Sequence, residues 1–358
     1  MKIVVRADAS LQIGTGHIMR CLTLAEALKQ QGAEISFICR AHQGNLISII
    51  EDKGFKVFTL NVPEHQIESL QDEALSLFHA KWLGVSQQQD ADECRDILEQ
   101  IKPDWLIVDH YAIDQAWQKA LQGCYKKLMV IDDLADRKHQ CDLLLDQTYG
   151  REPQDYQHLV PENCQMLLGS QYALLRPEFA KWRESSLKRR TNSEFKQLLI
   201  TMGGIDPDNV TGQVLEAISH INLPNEIAIT VVMGGAAPHL TDVKKQAQTM
   251  AYKTQVIVDV TNMAEIMANV DFAIGAAGAT TWERCALGLP SIMLVLAQNQ
   301  KNIAYKVGEA DIAIIANRSD LQSLIQFFPD KQKMRELVSN SSTACDGRGV
   351  HRVINYFL

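Results

Sequence analysis

Gly14-Thr15-Gly16-His17-Ile18-Met19-Arg20 is the stretch on which the reading of this chain turns. Ahead of it, Ile3-Val4-Val5 is an apolar run with the character of a buried strand. Behind it, Cys21, Leu22, Leu24, Ala25 and Leu28 recur at helical spacing until Gln30-Gln31-Gly32 breaks the pattern. Strand, glycine loop and helix start follow one another, as in doubly wound α/β folds. Glycines let backbone come close to a ligand, and a helix start offers unpaired N–H groups and partial positive charge. His17 stands at that start, a place for a base working on an anionic substrate. The same residues also suit an ordinary turn with a solvated histidine. The dinucleotide fingerprint is incomplete, because Met19 stands where a third glycine belongs.

The alternation continues outward. Ile35 to Cys39, Lys56 to Leu60, Trp105 to Val108 and Leu128 to Ile131 read as strands, with Cys141 to Asp146 as a last short one. Helical patterns cover Asn45 to Asp52 and Asp90 to Ile101, and residues 61–85 read as a polar loop with a helical piece. This order predicts a parallel sheet covered on both faces. Two strands end in Asp109 and in Asp132-Asp133. Ligands of open α/β sheets bind at the carboxyl ends of strands, so Asp109, His110 and Tyr111 are site candidates. Asp132 and Asp133 read first as helix caps or loop anchors.

A polar, basic stretch from Arg183 to Arg190 marks an interdomain connection, as a charged helix or a solvated linker. The alternation then restarts with Leu198 to Thr201, Ile227 to Val232, Val256 to Val258, Phe272 to Ile274, Ser291 to Val295 and Ile312 to Ile315. The expected domains are 1–175, a connection over 176–194, a second doubly wound domain over 195–340, and a C-terminal helix in 341–358 packing back on the first. Gly203-Gly204, Gly234-Gly235 and Gly275 to Gly278 each lie at a strand end before a helix, where phosphate oxygens are well received. Glu283 falls in the first turn of the helix from Thr280. A carboxylate there is favoured by the helix dipole, and it can also accept both hydroxyl hydrogen bonds of a ribose.

With 358 residues, 46% hydrophobic and 22% charged, the chain has material for two cores. A net charge of −8 argues against nucleic acid or an anionic membrane as partner. No apolar run reaches spanning length, and Met1-Lys2-Ile3 enters a strand directly, so the cytoplasm is the expected compartment. The eight cysteines include no C-x-x-C pair, so neither a zinc cluster nor a redox dithiol is signalled. Cys21 and Cys39 read as core thiols.

Several motifs together carry a resemblance. These are Arg6-Ala7-Asp8-Ala9-Ser10 with Gly14 to His17, Asp109-His110-Tyr111, Tyr172 to Arg176, Met202-Gly203-Gly204, Gly278 to Glu283, and Gln298-Asn299. The chain resembles the GT-B nucleotide-sugar enzymes, an α/β class of two Rossmann-like domains facing across a cleft. Its second half is similar to the UDP-N-acetylglucosamine transferase of peptidoglycan synthesis. Its opening is closer to the UDP-2,4-diacetamido-2,4,6-trideoxy-β-L-altropyranose hydrolases of pseudaminic acid biosynthesis. The resemblance implies that His17 is the general base and that Gly14 and Tyr111 line the sugar. It implies that Arg176 contacts substrate, Glu283 holds the ribose and Asn299 lies near the sugar-phosphate. Gly204 and Val260 match backbone positions around diphosphate and uracil. The implied reaction is water attack at the anomeric carbon with inversion and release of UDP, by a monomer needing neither cofactor nor metal. Asp8, close in sequence, is the candidate to orient His17. A UDP-sugar glycosyltransferase or epimerase of the same fold is the alternative, and a non-catalytic nucleotide-sugar binding protein lies outside enzymology.

Overall fold

Apolar runs of four to seven residues bounded by turns form parallel strands throughout the structure, a computed structural model that describes residues 1–63, 77–191, 194–224, 226–296 and 300–357. The chain divides into two units, Met1–Leu174 with Val350–Leu358, and Leu175–Gly349. The first holds β1 (Lys2–Ala7), β2 (Glu34–Arg40), β3 (Lys56–Leu60), β4 (Trp105–Asp109), β5 (Lys127–Ile131), β6 (Leu143–Asp146) and β7 (Gln165–Leu168). They pair in the order β3-β2-β1-β4-β5-β6-β7, each pair parallel.

Because side chains alternate across a sheet, each strand feeds two cores. Ile3, Val5, Phe37, Trp105, Ile107 and Met129 pack on one face with Ile18, Cys21 and Leu22 of the helix Gly16–Gln30. Val4, Ile38, Leu106, Val108 and Val130 pack on the other with Ala91, Cys94 and Leu98 of the helix Gln87–Ile101. The helix Gly349–Ile354 belongs to this unit: Val350, Val353 and Ile354 join the first face, and the Phe357 ring lies 4.7 Å from that of Trp105.

The second unit holds β8 (Gln197–Thr201), β9 (Ala228–Met233), β10 (Lys253–Val258), β11 (Phe272–Ala276), β12 (Ser291–Val295) and β13 (Ile314–Asn317). Their order is β10-β9-β8-β11-β12-β13, again all parallel. Strand order reverses between β1 and β4 and between β8 and β11, which sets one topological switch point in each sheet.

Three elements differ from the sequence reading. β7 was not anticipated: as a four-residue edge strand it buries only Leu167 fully and lacks a continuous apolar run. The helices Gln115–Ala120 and Leu240–Thr249 were also missed. The basic stretch is a helix, Pro177–Arg190, with proline at its first turn. Its arginines satisfy carbonyls at the ends of neighbouring helices. Arg190 donates to Met267 O and Val270 O at 2.8 and 2.6 Å, and Arg183 to Ala286 O and Cys345 O at 2.6 and 3.0 Å.

In the second unit the glycine loops approach one another through backbone. Gly234 N donates to Gly204 O at 3.1 Å, and a Cβ on Gly234 would stand 2.2 Å from that oxygen. A Cβ on Gly278 would meet nothing within 4 Å. Gly234→Ala is expected to cost about 1–3 kcal/mol, the range for overpacking. Gly278→Ala should stay within about 0.5 kcal/mol of wild type. Urea unfolding of the two variants side by side checks the contrast.

Candidate active site

The first switch point collects ionic side chains because of strand parity. Residues 105, 107 and 109 of β4 face the helix Gly16–Gln30, and Ala7 of β1 is in register with Asp109. Asp109 therefore ends its strand beneath the first turn of that helix. His17 Nδ1 lies 2.6 Å from Asp109 Oδ1, and Arg20, one turn further along, donates Nε to Oδ2 at 2.6 Å and Nη2 to Oδ1 at 2.7 Å. Arg20 Nη2 also comes within 3.4 Å of His17 Nδ1, too long to compete with the shorter carboxylate contact. A carboxylate only accepts, so Nδ1 donates to Asp109 and Nε2 is the ring nitrogen left without that partner. Burial would raise the Asp109 carboxyl, but Arg20 and His17 outweigh it and hold it well below the usual carboxylate range.

Tyr111 follows at the same strand end. Its hydroxyl donates to Asp133 Oδ2 at 2.7 Å, the oxygen that also receives Arg20 Nη1 at 2.5 Å. Burial, and then Asp133, push the phenol well above its ordinary pKa, so Tyr111 stays a donor. Asp133, read first as a cap or anchor, is a second carboxylate of this cluster, whereas Asp132 does anchor the loop through Ala135 N, Arg137 and Tyr156. Gly14, at φ +80°, donates its N–H to Ser10 O at 2.9 Å and closes the loop ahead of His17.

Asp8 does not orient His17. Even-numbered residues of β1 face the other core, and Asp8 follows that parity: it accepts Arg6 Nη1 at 2.6 Å and Arg40 N at 2.7 Å. Burial alone would raise its carboxyl, but Arg6, His110 and His42 around it keep it well below its usual range. His110, also on that face, accepts Ala112 N at Nδ1 and turns Nε2 to within 3.3 Å of Asp8.

Two residues had gone unnoticed in the polar stretch ahead of the helix Gln87–Ile101. The His79 ring lies 4.1 Å from that of Trp82 and 5.5 Å from that of Tyr111; Trp82 stacks on Tyr111 at 5.9 Å, and His17 meets Tyr111 edge-on at 4.5 Å. Residues 64–76 of the same stretch lie outside the described residues.

At the second switch point, Glu283 stands in the first turn of the helix Thr280–Ala286. Burial pushes its carboxyl up to about 7 against the pull of Arg176 and Arg284. Arg176 pairs with Glu178 at 2.9 Å and donates to Thr261 O, beside Val260, at 3.3 Å. Arg284 donates to Ala276 O at 3.0 Å and has no carboxylate within salt-bridge distance among the described residues. Gly275 is what admits it, since a Cβ there would lie 2.5 Å from Arg284 Nη1. The structure thus places Gly14, His17 and Tyr111 at one switch point and Arg176, Gly204, Val260 and Glu283 in the other unit. Asn299 lies outside the described residues. Among the described residues no His, Cys, Asp or Glu group is arranged to hold a metal, and no helix is long and apolar enough to cross a membrane.

Residues 197–345 match the glycosyltransferase family 28 C-terminal domain. Over 305 residues the chain is 28% identical to an uncharacterized protein of Methanocaldococcus jannaschii, covering 84% of this chain but only 56% of that protein, so it spans about half the length of that relative. It is 27% identical to the UDP-2,4-diacetamido-2,4,6-trideoxy-β-L-altropyranose hydrolase of Campylobacter jejuni, covering 85% and 95% of the two chains. The crystal structure of Acinetobacter baumannii MurG superposes with a TM-score of 0.70 at 14% identity, covering 99% and 98%. That likeness is one of fold: the chain has the two parallel-sheet α/β units of the GT-B class.

Asp109→Ala is expected to cost about 3–5 kcal/mol, because it leaves Arg20 buried without its bidentate partner. The pH dependence carries the same sign. The folded-state pKa of Asp109 is depressed, so its contribution is complete above about pH 4 and is lost as pH falls below that toward the folded value. Denaturant titrations of wild type and Asp109→Asn between about pH 3 and about pH 7 should converge toward acid, by roughly the linkage expected for one carboxylate.

Proposed function

We propose that this protein hydrolyses a UDP-sugar at the anomeric carbon, with His17 as the base that deprotonates the attacking water. The reading rests on one observation above all, the 2.6 Å bond from His17 Nδ1 to Asp109. It fixes the ring and leaves Nε2 to take a proton, the role of the carboxylate-bound histidine in general-base catalysis. Formal charge favours the step. Asp109, Asp133 and Arg20 sum to −1 beside a neutral imidazole and to zero beside an imidazolium. Attack opposite a departing diphosphate inverts the anomeric centre. UDP is a good leaving group, so no strong acid is required of the protein.

The second unit takes the nucleotide in this reading. Glu283 accepts the ribose hydroxyls, the loops at Gly204 and Gly278 meet the diphosphate with backbone N–H groups, and Arg176 contacts substrate. Arg284 adds buried positive charge beneath the Gly275 to Gly278 turn. The resemblance to the Campylobacter hydrolase supports 2,4-diacetamido-2,4,6-trideoxy-β-L-altropyranose as the sugar, with the free sugar as product. A second reading, transfer of the sugar to an acceptor, draws on the match of residues 197–345 to the glycosyltransferase domain, and epimerisation is the third outcome of the same test. Incubation of the UDP-sugar without acceptor separates them. Free sugar supports hydrolysis, an unchanged substrate supports transfer, and an isomeric UDP-sugar supports epimerisation.

His17→Asn should keep UDP affinity and lose about 10²–10⁴-fold in kcat, the worth of a general base. Turnover within tenfold of wild type, a bound set on the order of the smallest general-base effects, would remove the base assignment. Glu283 gives a separate check on the nucleotide pocket. Its carboxyl is pushed up to about 7 and must be ionised to accept both hydroxyls. Uridine affinity should therefore rise with pH through neutrality in wild type and be flat in Glu283→Gln, as read by calorimetry.

A further inference from the structure

Resting on His17 as the base, we propose that Trp82 and His79, together with Tyr111, form the wall on which the sugar ring stacks, and that this wall selects pyranoses carrying deoxy and acylamino carbons over fully hydroxylated hexoses. Reach sets the position. A base lies about 2.6–3.2 Å from the water it deprotonates, and the water about 3–3.5 Å from the carbon it attacks. The pyranose must therefore lie within about two such contacts of the His17 ring. Among the described residues, the rings occupying that neighbourhood are Tyr111 and Trp82, with centroids 4.5 and 6.5 Å from that of His17, and His79 packs on both.

The chemistry of the wall follows from its composition. Trp82 stacks within 25° of parallel on Tyr111; Tyr111 and His79 are buried behind it, and Trp82 is the accessible ring of the stack. Trp82 is only partly buried, and its indole N–H has no hydrogen-bond partner among the described residues. That leaves a donor at the edge of the surface for a carbonyl or hydroxyl of the ligand. His79 carries no charge near neutrality, because burial pushes its pKa down to about 4. An uncharged aromatic face penalises each hydroxyl it covers without a partner and accepts a methyl or a C–H edge without penalty. Phe78, 79% exposed and 4.8 Å from the His79 ring, extends the same apolar surface.

The test compares the UDP-linked 2,4-diacetamido-2,4,6-trideoxy sugar with UDP-glucose in wild type, Trp82→Ala, Trp82→Leu and Trp82→Phe. Sugar release without acceptor gives KM and kcat, and calorimetry gives UDP affinity. For the trideoxy substrate, Trp82→Ala and Trp82→Leu should raise KM about tenfold or more, as loss of one well-fitted apolar contact does, while kcat changes less. Trp82→Phe should restore most of that loss. UDP affinity, held by the other unit, should match wild type, and retained kcat with recovery of KM in Trp82→Phe certifies that the unit carrying Trp82 is folded. A wild-type KM in Trp82→Leu, or an equal rise for both substrates, overturns the wall while leaving hydrolysis standing. Absence of turnover by wild type on either substrate overturns the hydrolytic reading and the wall with it.

Discussion

The carboxylate of Asp109 is the group on which the side-chain cluster at the first unit's switch point depends. It is fully buried, and burying a lone carboxylate is unfavourable by several kcal/mol, on the order of the penalty per ion seen in proteins. Three hydrogen bonds from His17 and Arg20 offset that penalty and do so with well-formed geometry. The consequence is directional. The carboxylate sits at a strand end, which is rigid, and both donors sit on successive turns at the start of one helix, spaced three residues apart. Neither ring nor guanidinium can turn without breaking a buried charged bond. The fixed setting of the His17 ring is thus a by-product of the need to satisfy a buried charge.

A second buried ionic group lies on the opposite face of the same sheet, and its separation from the first is informative. Arg6 and Arg40 are both fully buried and share Asp90, with Asp8 paired to Arg6 and Trp117 donating to Asp90. These residues brace the ends of β1 and β2 and the helix Gln87–Ile101. Through them the loop after β1, which carries Gly14 and leads to His17, is tied at its base. The His17–Asp109–Arg20 cluster occupies one face of the strand ends and bracing the other, because alternate residues of a strand cannot face the same way.

That parity also explains what could and could not be read from the sequence. The strands with continuous apolar runs were legible, since a parallel sheet buries both faces. β7 was not, because an edge strand of four residues carries too little pattern. His17 was legible from its glycine loop, and Asp109 from its place at a strand end. Their contact was not, since it joins residues far apart in sequence through the adjacency of β1 and β4, which only the sheet order gives. Nearness in sequence pointed instead to Asp8, and one residue of parity separates the two answers. His79 and Trp82 were hidden for a different reason: a short helical turn, Ala80–Leu83, in a polar stretch has no period long enough to detect.

The two units hold their strand-end residues by different means. In the first, position is enforced by charge: removing one partner leaves another buried and unpaired, so the cluster stands or falls as a group. In the second, position is enforced by backbone approach, as where Gly234 meets the Gly204 carbonyl and where Gly275 makes room for Arg284. There the requirement is the absence of a Cβ rather than the presence of a functional group. A diphosphate needs many weak donors in a fixed concave surface, which backbone N–H groups supply at any pH. A proton acceptor needs a single tuned ring, which only side-chain chemistry supplies. The division of means between the units matches the proposal that the first supplies the proton acceptor and the second receives the diphosphate.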